Sequence, residues 1–131
     1  MSVMDFETHR AVSQACEEAQ LDYVFLADAW GSYGPRSTAA GVVDPILLAP
    51  MLGLLILQAT RHLRCITTIH SSWFHPLAIA RMGSLLDTMS RGRWGINVVT
   101  GGGFGQVLDK NLLDHISHDE RYERASERWR T

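Results

Sequence analysis

The chain has 131 residues, of which 46% are hydrophobic and 20% are charged, and its formal net charge is −2 at pH 7. This length is typical of one domain with a modest core, and the small charge argues against a partner that is a nucleic acid or an anionic membrane. Two cysteines do not make a disulfide framework. Charged residues near the N-terminus, among them Asp5 and Glu7, interrupt the apolar run that a signal peptide needs. We therefore expect a cytoplasmic protein.

The first part of the chain shows a helix pattern, then a strand pattern, then a loop. Residues Asp5–Gln20 have the spacing of an amphipathic helix, with an apolar face formed by Val12, Ala15, Cys16 and Ala19. Tyr23–Ala27 is a short apolar run, which is typical of a parallel strand buried on both faces. Asp28–Val43 contains three glycines, one proline and two serines, so it is predicted to be a loop.

A second helix is predicted from Asp44, which can cap it, to about Thr60. Pro45 suits the first helical position, whereas Pro50 is expected to kink the helix from inside. Residues Pro45–Leu57 form a run of thirteen residues without a charge. A membrane-spanning helix needs about 20 such residues, so we interpret this run as a buried helix.

The remaining elements continue the alternation. Leu63–Ile69 is predicted to be a strand, and a loop over Ser71–His75 leads into a helix that begins at Pro76. The apolar face of this helix is predicted to contain Ala78, Met82, Leu85, Leu86 and Met89. Gly92 is expected to supply the left-handed residue that ends it.

The last predicted elements are a strand over Trp94–Val99, a long loop over Thr100–Ser117 and a polar helix over His118–Trp129. Strands that alternate with helices in this way predict an α/β fold with a parallel sheet and right-handed crossovers. Ligands bind such folds at the carboxyl ends of the strands. Three segments are therefore candidate sites, namely Asp28–Trp30, Thr68–Ser72 and Asn97–Gly103.

Asn97 is the most informative of these residues because it interrupts an otherwise apolar strand. A buried amide must be hydrogen-bonded, so Asn97 binds either the polar edge of a ligand or the neighbouring backbone. Gly101, Gly102 and Gly103 lack the spacing of a dinucleotide-binding motif. No histidine or cysteine pair has metal-ligand spacing, so no metal site is expected.

His118 and Tyr122 are four residues apart and share a face of the last predicted helix. At a helix start, an imidazole, a phenol and free backbone N–H groups can converge on an anion. The alternative is a solvated helix start in which Asp119 and Glu120 complement the helix dipole. Because charge runs are common on protein surfaces, the residues alone favour the solvated helix start.

Several stretches of the chain resemble the luciferase-like flavin-dependent monooxygenases, especially the branch that acts on sulfonates, sulfones, nitrilotriacetate-type chelators and dibenzothiophene sulfone. The most specific stretch is Leu86–Gly101, which is similar to the family's LD-x-x-S-x-GR-x-G-x-N-x-VTG motif. The others are Leu26–Gly31, His75–Arg81 and the HDERY sequence at His118–Tyr122. The resemblance covers most of the chain.

The resemblance implies a partial (β/α)8 TIM barrel, truncated to about its first half, with residues 1–131 as one partial domain. It also implies an FMN-dependent monooxygenase that uses O2 and reduced FMN from a separate flavin reductase on a small organic substrate, in some members one that contains sulfur or nitrogen. Cofactor-binding roles pass by resemblance to Asp28, Thr68, Asn97, His118 and Tyr122. The catalytic residues remain unknown, since they are expected in a half that this chain lacks, and such a fragment is expected to be inactive alone.

Two readings from other classes stay open. One is a non-catalytic α/β module that kept the first part of the fold. The other is a half-barrel that pairs with a partner chain, which includes a homo-oligomer, because an incomplete barrel exposes two sheet edges. Flavin bound to the purified protein would favour the enzyme. A stable colourless monomer would favour the inert module, and a molecular mass above that of the monomer would favour the paired half-barrel.

Overall fold

The computed structural model describes residues 5–29, 34–41, 47–101 and 116–128. These residues form strands and helices in the predicted alternation, with one additional short helix. The elements in chain order are α1 (Phe6–Glu18), β1 (Tyr23–Leu26), α2 (Pro35–Ala39), α3 (Ala49–Ala59), β2 (Arg64–His70), α4 (Pro76–Ser90), β3 (Trp94–Val99) and α5 (His118–Arg128).

The three strands form a parallel sheet in the order β1-β2-β3, which confirms the predicted parallel arrangement. In the register, Leu26 lies opposite Thr67, and Thr68 lies opposite Asn97. Because side chains alternate along a strand, Thr68 and Asn97 share one face of the sheet. The other face is covered by helices and includes Thr67 and Trp94.

The core lies between α3 and the covered face of the sheet. Its buried residues are Ile56, Leu57, Leu63 and Cys65. Burial raises the pKa of the Cys65 thiol to about 11, so this cysteine is an inert core residue at neutral pH. Helix α3 approaches the sheet closely at Gly53, where a Cβ atom would lie 2.4 Å from Thr67 Cγ2.

The prediction that the first strand is buried on both faces is wrong. Val24 and Leu26 pack against the core, whereas Tyr23 is 55% exposed and Phe25 is 52% exposed. The helices that pack on β1 and β2 lie on one face, and the described residues leave the aromatic face of β1 uncovered.

The start of α3 also differs from the prediction. Leu47 and Leu48 are not helical, and the helix begins at Ala49 with Leu48 as its N-cap residue. Pro50 is therefore the second helical residue, where its missing N–H needs no partner, and it does not kink the helix. Asp44 and Pro45 lie outside the described residues.

Two helices bury a face that agrees only in part with the predicted one, since Cys16 of α1 packs against the core and Leu86 of α4 is buried, as predicted. In α1 the buried residue is Ser13, whose hydroxyl donates to the His9 carbonyl, and Val12 is exposed. In α4 the predicted Leu85 and Met89 are exposed. The buried residues of α4 are Ile79, Gly83, Leu86 and Ser90. Small residues decide the contact face of α4, because a Cβ at Gly83 would lie 2.8 Å from the Trp94 ring.

The segment Asp28–Val43 is not a loop throughout, since α2 lies within it. Pro35 occupies the start of α2, a position that its fixed φ favours. Gly34 precedes it with φ of 125°, a conformation that favours glycine. Among the described residues, no helix is both long and apolar enough to cross a membrane.

The end of α4 is a left-handed turn of two residues. Gly92 has φ of 78°, as predicted, and Arg91 before it has φ of 59°. The Gly92 N–H donates to the Asp87 carbonyl, which closes the helix in the manner of a Schellman motif. The Ser90 hydroxyl accepts from the Arg93 N–H, and the turn leads through Arg93 directly into β3, which begins at Trp94.

The half-buried Arg93 side chain ties three elements together, and none of its hydrogen-bond partners among the described residues is acidic. Its Nη2 donates to the Leu57 carbonyl at 2.7 Å, and its Nη1 donates to the Leu63 carbonyl at 2.8 Å. Further bonds reach Thr60 Oγ1 and the Ser90 carbonyl. Arg93 therefore satisfies carbonyls at the end of α3, before β2 and at the end of α4.

Glu17 fixes α1 to the turn that precedes β2. Its carboxylate accepts the backbone N–H groups of Arg61, His62 and Leu63, with the bond from Leu63 at 2.9 Å. These bonds to the ionised form, first of all that from His62, lower the pKa of Glu17. Nothing in the amphipathic pattern of α1 distinguishes Glu17 from its exposed neighbour Glu18.

The lowered pKa of Glu17 makes a pH-dependent contribution to stability. A carboxyl whose pKa is lower in the folded state stabilises the fold above its unfolded pKa of about 4.3 and loses that effect as the pH falls through the folded value. We expect the urea midpoint of the wild type to fall more steeply below this pH than that of Glu17→Gln. Glu18→Gln is the matched control and should follow the wild type. Parallel curves for all three proteins would contradict the assignment.

Candidate functional site

The carboxyl edge of the sheet is the candidate site, since all three described strands end there. Asp28 follows β1, His70 ends β2, and Thr100 follows β3. Parallel strands place these polar residues together at the edge where α/β folds bind ligands. The sequence predicts this edge, and the structure shows how its residues contact one another.

Asn97 and Thr68 form a hydrogen-bonded pair on the face of the sheet opposite α3. The Asn97 Nδ2 donates to Thr68 Oγ1 at 3.0 Å. Thr68 is 3% exposed, and its buried hydroxyl orients the half-buried Asn97 amide through this bond. Within the described residues, the side-chain oxygen Oδ1 of Asn97 accepts no hydrogen bond. Its strand β3 is an edge strand of the described sheet.

Asp28 caps a helix in this structure. Its Oδ2 accepts the Ala49 N–H at 2.9 Å, at the first turn of α3. Burial raises the pKa of the Asp28 carboxyl, and the bond from Ala49 and the nearby imidazole of His70 oppose that effect. The sequence offers no local signal for this cap, because Asp28 lies 21 residues before Ala49.

The end of β2 bonds to the ends of both neighbouring strands. His70 Nε2 lies 3.3 Å from the Asp28 carbonyl oxygen. On the other side, the Ser71 hydroxyl donates to the Val99 carbonyl at 3.2 Å and the Ser72 hydroxyl donates to the Thr100 carbonyl at 2.8 Å. The sequence places these residues in a candidate segment without giving them a role, because bonds between strand ends depend on the register of the sheet.

His118 and Tyr122 lie together on the first turns of α5. Their ring centroids are 4.8 Å apart, and His118 Nδ1 lies 3.1 Å from Asp119 Oδ1. The Glu120 N–H donates to the Ser117 hydroxyl, which caps the helix start. Tyr122 is 56% exposed. An anion at this helix start would meet both side chains, as the sequence suggests, and the solvated alternative also fits their exposure.

The five predicted site residues thus form two groups. Asp28, Thr68 and Asn97 lie at the carboxyl edge of the sheet, linked to one another directly or through residues of β2. His118 and Tyr122 form a separate pair on α5, and the contacts of the described residues do not join the two groups. Among these residues, no group of three histidine, cysteine, aspartate or glutamate side chains is placed to hold a metal ion.

The stretch Leu86–Gly101, which resembles the family motif, has two parts with different structural roles. Its first part contains Ser90, Gly92 and Arg93, which end α4 and tie it to α3 at the amino end of the sheet. Its second part runs from Asn97 to Gly101 at the candidate site. Gly101 there has φ of 77°, which favours glycine. The motif therefore encodes a helix–strand junction as well as candidate ligand contacts.

The family model described as luciferase-like monooxygenase matches residues 2–130 of this chain. The chain belongs to the luciferase-like monooxygenase family. Relatives include nitrilotriacetate monooxygenase component A of Aminobacter aminovorans, which is 28% identical over 94% of this chain and 29% of its own length. Dibenzothiophene-sulfone monooxygenase of Rhodococcus erythropolis is 29% identical over 91% of the chain and 28% of its own length.

Among solved structures, the chain is similar to a riboflavin lyase whose crystal structure contains modified FMN and the substrate riboflavin. The two share 30% identity with a TM-score of 0.85, over 97% of this chain and 30% of the lyase. The fold is therefore α/β, and the three parallel strands form part of a luciferase-like TIM barrel. The chain spans less than a third of the length of these relatives.

Proposed function

We propose that this chain forms, as one partial domain over residues 1–131, the part of an FMN-dependent monooxygenase that holds the flavin. The observation that carries the proposal is the Asn97 side-chain amide, which Thr68 orients at the carboxyl edge of the sheet and whose Oδ1 accepts no hydrogen bond from a described residue. Family membership and the modified FMN in the similar riboflavin lyase support the choice of cofactor.

The residues fit the two ends of FMN differently. A flavin ring edge carries both hydrogen-bond donors and acceptors, and an amide such as that of Asn97 offers both. The positive φ of Gly101 favours glycine, and a residue without a side chain lets a flat ring approach the backbone after β3. At the other end of the cofactor, the first turn of α5 offers His118, Tyr122 and a positive helix dipole to a phosphate.

Reduced FMN supplies the electrons that activate O2 for insertion into a substrate. In this reading, Asn97 orients the ring, His118 and Tyr122 bind the phosphate, and Asp28 shapes the site by holding the start of α3. A separate flavin reductase is the proposed electron source. The name of the nitrilotriacetate relative supports this, because a component A implies a second component. The substrate is proposed to be a small organic molecule, and a cytoplasmic location agrees with the free Cys16 and Cys65.

A titration with FMN and with riboflavin tests the proposal, because riboflavin lacks the phosphate. The described residues offer the phosphate few donors, so we expect a dissociation constant for FMN on the order of 10⁻⁴ M or weaker. Asn97→Ala should weaken both ligands about five- to tenfold, the effect of one or two lost hydrogen bonds. Tyr122→Phe should weaken FMN alone. Backbone amide chemical shifts recorded during the titration provide the measurement.

The two substitutions serve as controls for each other. If Asn97→Ala and the wild type bind riboflavin equally, Asn97 does not contact the ring, and the proposed site is wrong. If Tyr122→Phe weakens FMN and riboflavin by the same factor, the residue acts through the fold rather than on the phosphate. Wild-type protein that shows no shifts with millimolar FMN would refute flavin binding by this chain.

A second candidate function is supported by the uncovered face of β1. Tyr23 and Phe25 expose large aromatic side chains on a sheet face, and such surface is typical of an interface. In this alternative the chain is a half-barrel that pairs with another chain, and the flavin site forms only in the pair. Light scattering distinguishes the two candidates: a monomer that binds flavin supports the first, and flavin binding confined to a larger species supports the second.

A further inference from the structure

The last residue of β2 and the two that follow it bond to the exits of both neighbouring strands. His70 reaches the Asp28 carbonyl, Ser71 reaches the Val99 carbonyl, and Ser72 reaches the Thr100 carbonyl. We call these three residues, His70–Ser72, the strand-exit clasp. His70 and Ser71 are buried, and all three contacts lie at the carboxyl edge of the sheet. None of the three contacts belongs to the regular hydrogen-bond ladder of the sheet.

We propose that the strand-exit clasp positions the flavin-ring end of the candidate site, with Ser72 as its principal residue. This proposal rests on the proposed function, because it assigns the clasp to the site that contains Asn97. The clasp does not contact the flavin itself in this proposal. It holds Thr100, which follows β3, and Asp28, which follows β1. These three are therefore positioning residues.

The hydrogen-bond lengths explain why the contacts of the clasp with the end of β3 matter more for the site than its contact with Asp28. The Ser72 hydroxyl bond to the Thr100 carbonyl is 2.8 Å long, an optimal length for this type of bond. The backbone of Ser71 adds a second tie, because its N–H donates to the Val99 carbonyl at 2.9 Å. Thr100 and Gly101 directly follow these bonds and lead away from Asn97. Within the described residues, the Ser72 bond is the hydrogen bond that joins Thr100 to the exit of β2. Without it, Thr100 would be held only through its peptide bond to Val99.

The β1 side of the clasp completes a path through Asp28. His70 contacts the backbone of Asp28 while the carboxylate of the same residue accepts the Ala49 N–H of α3. A shift of His70 would therefore move both the exit of β1 and the start of α3. His70–Ser72 therefore contact the exits of β1 and β3 directly and the start of α3 through Asp28. In this way a short segment can set the geometry of a site that is built from several strand ends.

Ser72→Ala and Ser72→Thr test the proposal, because threonine keeps the hydroxyl and alanine removes it. Without ligand, Ser72→Ala should shift or broaden the amide resonances of Thr100 and Gly101, and Ser72→Thr should leave them near their wild-type positions. With riboflavin, Ser72→Ala should weaken binding about three- to tenfold, the effect of one lost hydrogen bond, and change the visible circular dichroism of the bound flavin. Ser72→Thr should bind within about twofold of the wild type.

A second pair of substitutions, at His70, tests the contact between the clasp and Asp28. His70→Gln retains an N–H that can reach the Asp28 carbonyl, and His70→Leu does not, so only His70→Leu should weaken riboflavin. The urea midpoint separates positioning from simple loss of stability, since a purely structural role would lower the midpoint while leaving affinity in the folded protein unchanged.

The outcomes separate the two proposals. Unperturbed Thr100 and Gly101 resonances in Ser72→Ala, or unchanged riboflavin affinity in Ser72→Ala when Asn97→Ala has lost affinity, would overturn the clasp and leave the flavin site standing. Perturbed resonances without any flavin binding by the wild type would refute the proposed function and, with it, the role of the clasp in that site. Equal binding losses for Ser72→Thr and Ser72→Ala would show that packing, not the hydroxyl, matters.

Discussion

Replacing Arg93 by methionine is expected to lower the free energy of unfolding by about 3–4 kcal/mol, because hydrogen bonds from a charged donor contribute about 1.5–3 kcal/mol each and are not fully additive. Methionine keeps much of the apolar stem but removes every donor. The carbonyls of Leu57, Leu63 and Ser90 would then lose their guanidinium partner in a half-buried site. Urea unfolding measures the change.

Arg91→Met is the matched control for this experiment. Arg91 is exposed at the end of the same helix, and within the described residues its side chain makes no hydrogen bond. Its replacement should change stability by no more than about 0.5 kcal/mol, as is usual at surface positions. Arg93→Lys should fall between the two, because one ammonium cannot span acceptors that belong to three elements.

Salt provides a further check on the Arg93 interaction. Its partners are neutral carbonyls and a hydroxyl rather than carboxylates, so the loss in Arg93→Met should be nearly the same at about 0.1 M and 1 M salt, conditions that differ strongly in screening. A loss that disappears at high salt would mean that Arg93 acts as a surface ion-pair partner. A loss below about 1 kcal/mol would show that water replaces the guanidinium at these carbonyls without much cost.

The sequence predicts the order and type of the main elements well, because hydrophobic periodicity and helix-end signals are local. Trp94–Val99 and the turn at Gly92 occur where the pattern places them. The contact faces of the helices are predicted only in part, with Cys16 and Leu86 packed as expected. Periodicity favours Leu85 and Met89 as buried residues of α4, but the close approach of Trp94 selects the face that contains Gly83. Close packing between a helix and a sheet is a long-range property that residue counting does not detect.

The candidate site shows the same limit. Strand-end rules and family resemblance identify Asp28, Thr68 and Asn97, and the sheet register brings them to one edge. The cap that Asp28 forms on α3 joins residues 21 positions apart, and the hydrogen bond of Ser72 joins residues 28 positions apart. Neither has a local sequence signature. Tertiary structure therefore adds the supporting residues, while the sequence already identifies the candidate ligand contacts.

Gly53→Ala is expected to lower the free energy of unfolding by about 2–3 kcal/mol, within the usual range for an overpacked core. In an ordinary helix interior this change would stabilise the protein by up to about 1 kcal/mol, so the predicted sign is opposite to that of helix propensity. The reason is the distance of 2.4 Å between the new Cβ and Thr67 Cγ2. Thr67 is fully buried, and rotating it would break its bond from Trp94 Nε1 at 3.0 Å.

A double-mutant cycle with Thr67→Ser isolates this contact. Serine removes the methyl group that meets the new Cβ and keeps the hydroxyl that accepts from Trp94. Thr67→Ser alone should cost about 0.5–1.5 kcal/mol for one buried methyl group. In the Thr67→Ser background, Gly53→Ala should cost at least about 1 kcal/mol less than in the wild type, because contacting residues are energetically coupled. Equal costs in both backgrounds would mean that α3 moves away from the sheet to admit the alanine, and that Gly53 does not set the distance at which this helix packs on β2.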